Sequence, residues 1–158
     1  MAVKTTKVQG RRRLNFRSFD ELLEDAERVA AGPVKVLGNW SPGQNFKHLA
    51  TTCHASIDGY PMTFPWYMRA VGYLIRKPLL SSMQMPAGIS IPSKEAASLI
   101  PAPISSEEGL AELRAAITRL QKEPRRARHP MLGAFTREQW DQLHLKHANL
   151  HLSFLVPE

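Results

Sequence analysis

Four amphipathic stretches, each opened by its own capping signal, leave this chain little to fold into except helices packed on helices. A Ser or Thr at the N-cap satisfies backbone N–H groups that the first helical turn leaves unpaired, and a Glu or Gln three residues later can return the bond. Ser18 is followed by Glu21, Ser41 by Gln44 with Pro42 between them, Ser105 or Ser106 by Glu108 in the box position, and Thr136 by Gln139. Behind each cap runs an apolar stripe of helical period: Leu22, Leu23, Ala26 and Val29; Phe46, Leu49, Cys53 and Ile57; Leu110, Leu113, Ile117 and Leu120; Trp140, Leu143, Leu150 and Phe154. Gly32-Pro33, Gly59-Tyr60-Pro61 and Pro124 supply stops. The pattern predicts helices near residues 18–31, 41–59, 105–122 and 136–155, with Phe135 and Trp140 as a hydrophobic staple at the last start.

Seven of the twelve prolines fall between Tyr60 and Pro103. Within that span Trp66–Lys77 suits a short helix, whose aromatic and basic make-up fits either packing or a membrane surface; packing is the expectation. Leu79 to Pro103 reads mostly as loop, and loops of that length in compact domains are often binding loops or lids. No strand-like alternation of any length is visible. The expected fold is all-α, a four-helix bundle over one domain, residues 1–158, with a long crossover between helices two and three.

The net charge is +7. The excess collects in a basic arm, residues 1–13, expected to be flexible, and in Lys122-Glu-Pro-Arg125-Arg126-Ala-Arg128, expected as solvated surface. The arm's Lys4, Lys7, Arg11, Arg12 and Arg13 lack interleaved aromatics, and no groove-entering motif accompanies them, so neither specific nucleic-acid binding nor membrane binding is expected. No apolar segment approaches the ~20 residues of a membrane span, and none follows the arm as a secretory or twin-arginine signal requires. The single cysteine, Cys53, rules out a zinc-finger site and an intrachain disulfide and suits a reducing cytoplasm.

Chemistry is concentrated in His144-Leu-Lys-His147-Ala-Asn-Leu-His151. His147 and His151 lie one turn and about 40° apart on the apolar stripe. Imidazoles on a core-facing side need partners, since an unsatisfied buried polar group costs on the order of 1–3 kcal/mol. One such partner is a divalent metal, for which neutral histidine is a common ligand. His144 can pair with His147 instead, but His144 and His151 are about 10 Å apart along the axis, too far for one ion. A third ligand must come from another helix. His48 and His54 on the second helix are about 120° out of phase, and the stripe favours His48 only slightly. His129, in a turn before Pro130, reads as a packing residue.

Asn39-Trp40-Ser41-Pro42-Gly43-Gln44-Asn45-Phe46-Lys47-His48-Leu49 resembles the second-helix opening of the DinB-like superfamily. The run His129 to Trp140, continuing through Lys146 to Leu152, is similar to one branch of it whose function is unassigned. The resemblance covers nearly the whole chain, most strongly residues 11–58 and 101–155. It implies a four-helix bundle with a metal site built from one histidine of the second helix and an HxxxH pair of the last, which here are His48, His147 and His151. It also implies zinc or nickel as cofactor and a metal-dependent enzyme acting on a small molecule, such as a thiol-dependent transferase or isomerase. This chain departs from the branch where Asn149 stands for an acidic residue and Leu150 for a histidine, which puts a carboxylate role at 149 in doubt.

Two other readings stand beside the enzyme: a non-catalytic metal- or ligand-binding bundle, and a nucleic-acid or membrane-surface binder using the basic arm. A homodimer is left open. No general base is evident; Glu24, Asp25 and Asp58 are the unranked candidates. The 61–103 segment is expected to border the opening of the site.

Overall fold

A computed structural model describes residues 2–89 and 95–158; the part of the 61–103 crossover at residues 90–94 lies outside them. The chain is mainly helical. Its α-helices among the described residues are α1 (Phe19–Ala30), α2 (Pro42–Asp58), α3 (Trp66–Ser81), α4 (Ser106–Lys122) and α5 (Arg137–Leu152). Ser41, Ser105 and Thr136 form reciprocal capping boxes with Gln44, Glu108 and Gln139. At α1 the box is only half made: Ser18 accepts from the Glu21 N–H, but the Glu21 carboxylate takes the Arg17 N–H instead of returning to Ser18.

Three expectations change. The segment after Phe64 is a full 16-residue helix, α3, and much of its surface faces outward. Helix five stops at Leu152, three residues early, because Leu155–Pro157 leaves the axis to form a strand, β2. That strand pairs antiparallel with Val34–Val36, β1, in the register Val34 with Pro157 and Val36 with Leu155. Strands of three residues are too short to show alternation in a sequence. They fasten the chain after α1 to the chain after α5.

Leu22, Val29, Phe46, Leu113, Ile117 and Leu152 meet in one core shared by α1, α2, α4 and α5. A second group, Leu79, Leu132, Trp140 and Leu143, joins α3 to α5, and Phe135 meets Trp140 edge-on at 5.6 Å as the expected staple. The two basic segments are not simply solvated. Arg12 makes a two-pronged bond to Asp25, 2.7 Å at each oxygen, and reaches the Leu152 carbonyl, while Arg11 binds the Ser153 hydroxyl and lies over Phe154. Burial acts to raise the Asp25 carboxyl, but the Arg12 and Arg28 guanidiniums outweigh it and hold it below the usual range. Arg126, whose side chain is buried, covers the end of α4 by donating to the carbonyls of Leu120 and Glu123. Asn149, the departure from the branch pattern, accepts the Phe16 N–H at 2.9 Å and anchors the arm.

Gly43 in the first turn of α2 and Gly109 in the first turn of α4 let the two backbones touch. A Cβ at 43 would fall on the carbonyl oxygens of Ile104 and Ser105, and one at 109 would lie 2.9 Å from the Gly43 Cα. Both close neighbours are main chain, so neither can rotate away. Helix propensity alone would favour Ala over Gly by about 0.8–1 kcal/mol. Gly43→Ala is expected to reverse that sign and cost roughly 1–3 kcal/mol through forced separation, read as a lower urea midpoint. An unchanged or raised midpoint would show that the crossing tolerates a methyl group.

Candidate metal centre

Helix α2 carries Asn45, His48 and Thr52 at i, i+3 and i+7, a polar line on a helix face that is otherwise packed. Helix α5 presents His147 and His151 opposite it. One ring nitrogen from each of His48, His147 and His151 lies within 4.8 Å of the other two. The three sequence candidates therefore come together, and among the described residues no carboxylate joins the group.

The other ring nitrogen of each histidine is committed. His48 Nδ1–H donates to the Leu99 carbonyl at 2.7 Å. His151 Nδ1–H donates to Asn45 Oδ1 at 3.2 Å, and that amide is held the right way round because its Nδ2 donates to the carbonyls of Trp40 and Ser41. Thr52 gives its proton to the Leu49 carbonyl, leaving its oxygen to face His147 Nδ1 at a long 3.5 Å. Leu99 and Asn45, which can only accept there, set His48 and His151 as Nδ1–H tautomers. The Nε2 atoms of His48 and His147 stand 3.3 Å apart. Two nitrogens each about 2.0–2.1 Å from one tetrahedral zinc lie about 3.3–3.4 Å apart, so the spacing suits a shared cation.

Charge on the rings is disfavoured. Burial pushes His48 down, partly offset by the Leu99 bond; burial and then the neighbouring histidines push His147 and His151 well down. Neutral imidazole is the form that ligates. Trp40 stacks on His151 at 5.4 Å and leans on His48 at 4.9 Å, closing one side, while His147 and His151 keep some contact with solvent.

The remaining histidines are spoken for. His144 Nε2–H donates to the Ser56 oxygen at 2.9 Å, since the Ser56 proton goes to the Cys53 carbonyl, and its Nδ1 faces Cys53 Sγ at 3.8 Å. It is buried away from the group, which answers its competition with His151. His129 Nδ1 accepts from the Met131 and Leu132 N–H groups and holds the turn, as a packing residue should. His54 accepts from Arg119, which also grips Asp58 with two bonds. Of the carboxylates considered as a base, Asp25 is held by Arg12 and Arg28, and Asp58 by Arg119. Leu99 belongs to the crossover, so this part of the 61–103 segment does border the site.

Sequence reasoning missed Asn45, Thr52 and Trp40, although the 45/48/52 spacing was a readable signal. A cleft of about 940 Å³ lies between the arm, the end of α3 and α5; Arg11, Arg13, Arg17 and Lys146 are on its wall, and none of the three histidines is. The cleft is therefore separate from the histidine group.

Two measurements check this geometry. Nitrogen-15 spectra of metal-free protein at neutral pH are expected to show Nδ1–H rings for His48 and His151 and Nε2–H rings for His129 and His144; the reverse pattern would break the lone-pair argument. Stability is expected to fall in acid. Burial pushes His144 down to about 3 and His129 down to about 4, below the ordinary histidine value, so the unfolded chain binds protons that the fold refuses. Their contribution is complete above about pH 6.5 and lost as pH falls toward those values, at about 1.4 kcal/mol per pH unit for each ring. Chemical denaturation from pH 7 to 4 should show that slope, shallower by one proton in His144→Asn.

Residues 8–158 match the family described as "Protein of unknown function (DUF1569)". Comparisons with curated proteins and with solved structures gave no match.

Proposed function

Because the chain belongs to that family, whose function is unknown, we propose its role from the site itself: His48, His147 and His151 hold one divalent ion, zinc or nickel, within a DinB-like four-helix bundle formed by α1, α2, α4 and α5, with α3 riding on the long crossover. The observation that carries this reading is the convergence of one ring nitrogen from each histidine, with the Nε2 atoms of His48 and His147 3.3 Å apart and the N–H groups of His48 and His151 already spent on Leu99 and Asn45. Lone pairs at that spacing repel unless a cation or proton lies between them, and bonds from the far ring nitrogen are the usual support of metal-bound histidine.

Three protein ligands leave a position open, and a bound zinc-like ion would polarise a carbonyl or activate water or a thiol there. The chain's own contribution is to aim the rings: Asn45 fixes His151, Leu99 fixes His48, and Trp40 keeps water from one side. A metal-dependent enzyme acting on a small molecule, in the manner of a thiol-dependent transferase or isomerase, is the function this supports best. A second reading, a non-catalytic metal-binding module, is favoured by one observation: the cleft of about 940 Å³ beside α5 does not include the histidines.

Metal analysis of untagged protein is expected to find about one zinc or nickel per chain. His48→Ala, His147→Ala and His151→Ala should each lower affinity more than tenfold, Asn45→Ala about ten- to hundredfold, and His54→Ala not at all. A chain that takes up no ion, or that loses it equally in His54→Ala, would end the proposal. Cobalt-substituted protein separates the two readings: a visible spectrum that shifts when a simple thiol is added supports the open, enzymatic site, and one that does not supports the closed module.

A further inference from the structure

We propose that α3 lies on the surface of an anionic phospholipid bilayer, with its outer face in the headgroup region. Four observations carry this. First, half of the exposed large apolar side chains among the described residues sit on this one helix: Trp66, Tyr67, Val71, Tyr73 and Leu74, with Trp66 79% and Leu74 76% exposed. Second, they share a face. At 100° per residue Tyr73, Trp66, Ala70, Leu74, Tyr67 and Val71 fall in one arc of about 160°. The opposite side is used for packing: Gly72 lies against the Met131 carbonyl, and Leu79 and Ile75 pack with Leu132 and Trp140.

Third, the charge is of one sign. Residues 59–94 contain no Asp or Glu. Arg69 borders the arc and Lys77 lies within it at its C-terminal end; both are exposed, and among the described residues neither side chain has an ion-pair partner. Long cationic side chains at such positions can keep their stems on apolar surface and their heads among phosphates. Fourth, the aromatics are Trp and Tyr, whose rings suit the headgroup layer. No helix among the described residues is long and apolar enough to cross a membrane, so the contact is interfacial. A second copy of the chain is a poorer occupant, since two such helices face to face would bring Arg69 and Lys77 from each together with no carboxylate nearby.

Trp66 is its own probe, because Trp140 is fully buried and Trp40 is half-buried on the histidines. The full-length chain is sedimented with vesicles of phosphatidylcholine alone or with about one-third phosphatidylglycerol. Expected are binding to the anionic vesicles, a blue shift and loss of acrylamide quenching of Trp66, and several-fold weaker binding on going from about 0.1 to about 0.5 M salt. Trp66→Ser with Leu74→Ser, both at exposed positions, should weaken binding about tenfold or more with circular dichroism unchanged, and Arg69→Glu with Lys77→Glu should remove its preference for anionic vesicles. The proposal is overturned by absence of binding to the anionic vesicles, or by binding that these substitutions leave unaltered. It is equally overturned by a dimer, seen by ultracentrifugation without lipid, that shields Trp66 and dissociates in Leu74→Asp. None of these results depends on whether the histidines hold a metal.

Discussion

The near-contact of α2 with α4 at Gly43 and Gly109 is the constraint from which the candidate site follows. With backbone against backbone at the first turns, α2 has no freedom to slide or roll, and its two faces acquire separate duties. Phe46 and Leu49 go into the shared core. Asn45, His48 and Thr52 are turned toward α5 and the end of the crossover. The serine boxes at Ser41 and Ser105 sit at the same crossing, so the caps that start the two helices also fix where they meet. Gln44 adds a bond to the Pro101 carbonyl, drawing the approach to α4 onto the same corner.

Buried polarity is then distributed with little left unpaired. His129 and His144 are satisfied within the fold, by backbone amides in one case and by Ser56 and Cys53 in the other. In the cluster, His48 and His151 spend Nδ1 on Leu99 and Asn45, and the Nε2 atoms of His48 and His147 meet each other. Convergence on one another's ring nitrogens distinguishes these three from His129 and His144, which bond to other groups of the fold. The N-terminal arm contributes indirectly. Arg11, Arg12 and the Asn149–Phe16 bond pin it along the end of α5, close enough for Arg11 to help keep His151 uncharged.

Much of this was legible in the order of residues. Caps, stripes and stops located α1, α2, α4 and α5 to within about three residues, because capping and helical periodicity are local and repeat within one turn. The HxxxH pair was legible for the same reason. The choice of His48 over His54 was not, since the two differ by about 120° on a helix whose orientation the neighbours set. It rested on resemblance until the packing gave His54 to Arg119 and His48 to Leu99. The strands β1 and β2 and the full length of α3 escaped notice, being too short or too apolar all round to show a period.

What the sequence by itself determined is the set of helices, their starts, and the presence of more histidine on one apolar stripe than a core readily absorbs. Only the tertiary structure decided which nitrogen each ring turns inward, that Arg12 and Arg126 are interior groups, and that the outer face of α3 stays uncovered. The physical reason is one of range. A cap or a stripe is written within four residues, whereas a tautomer, a buried guanidinium or an exposed face depends on groups that the chain brings back from dozens of residues away: Leu99 to His48, Asn45 to His151, Arg12 to Leu152.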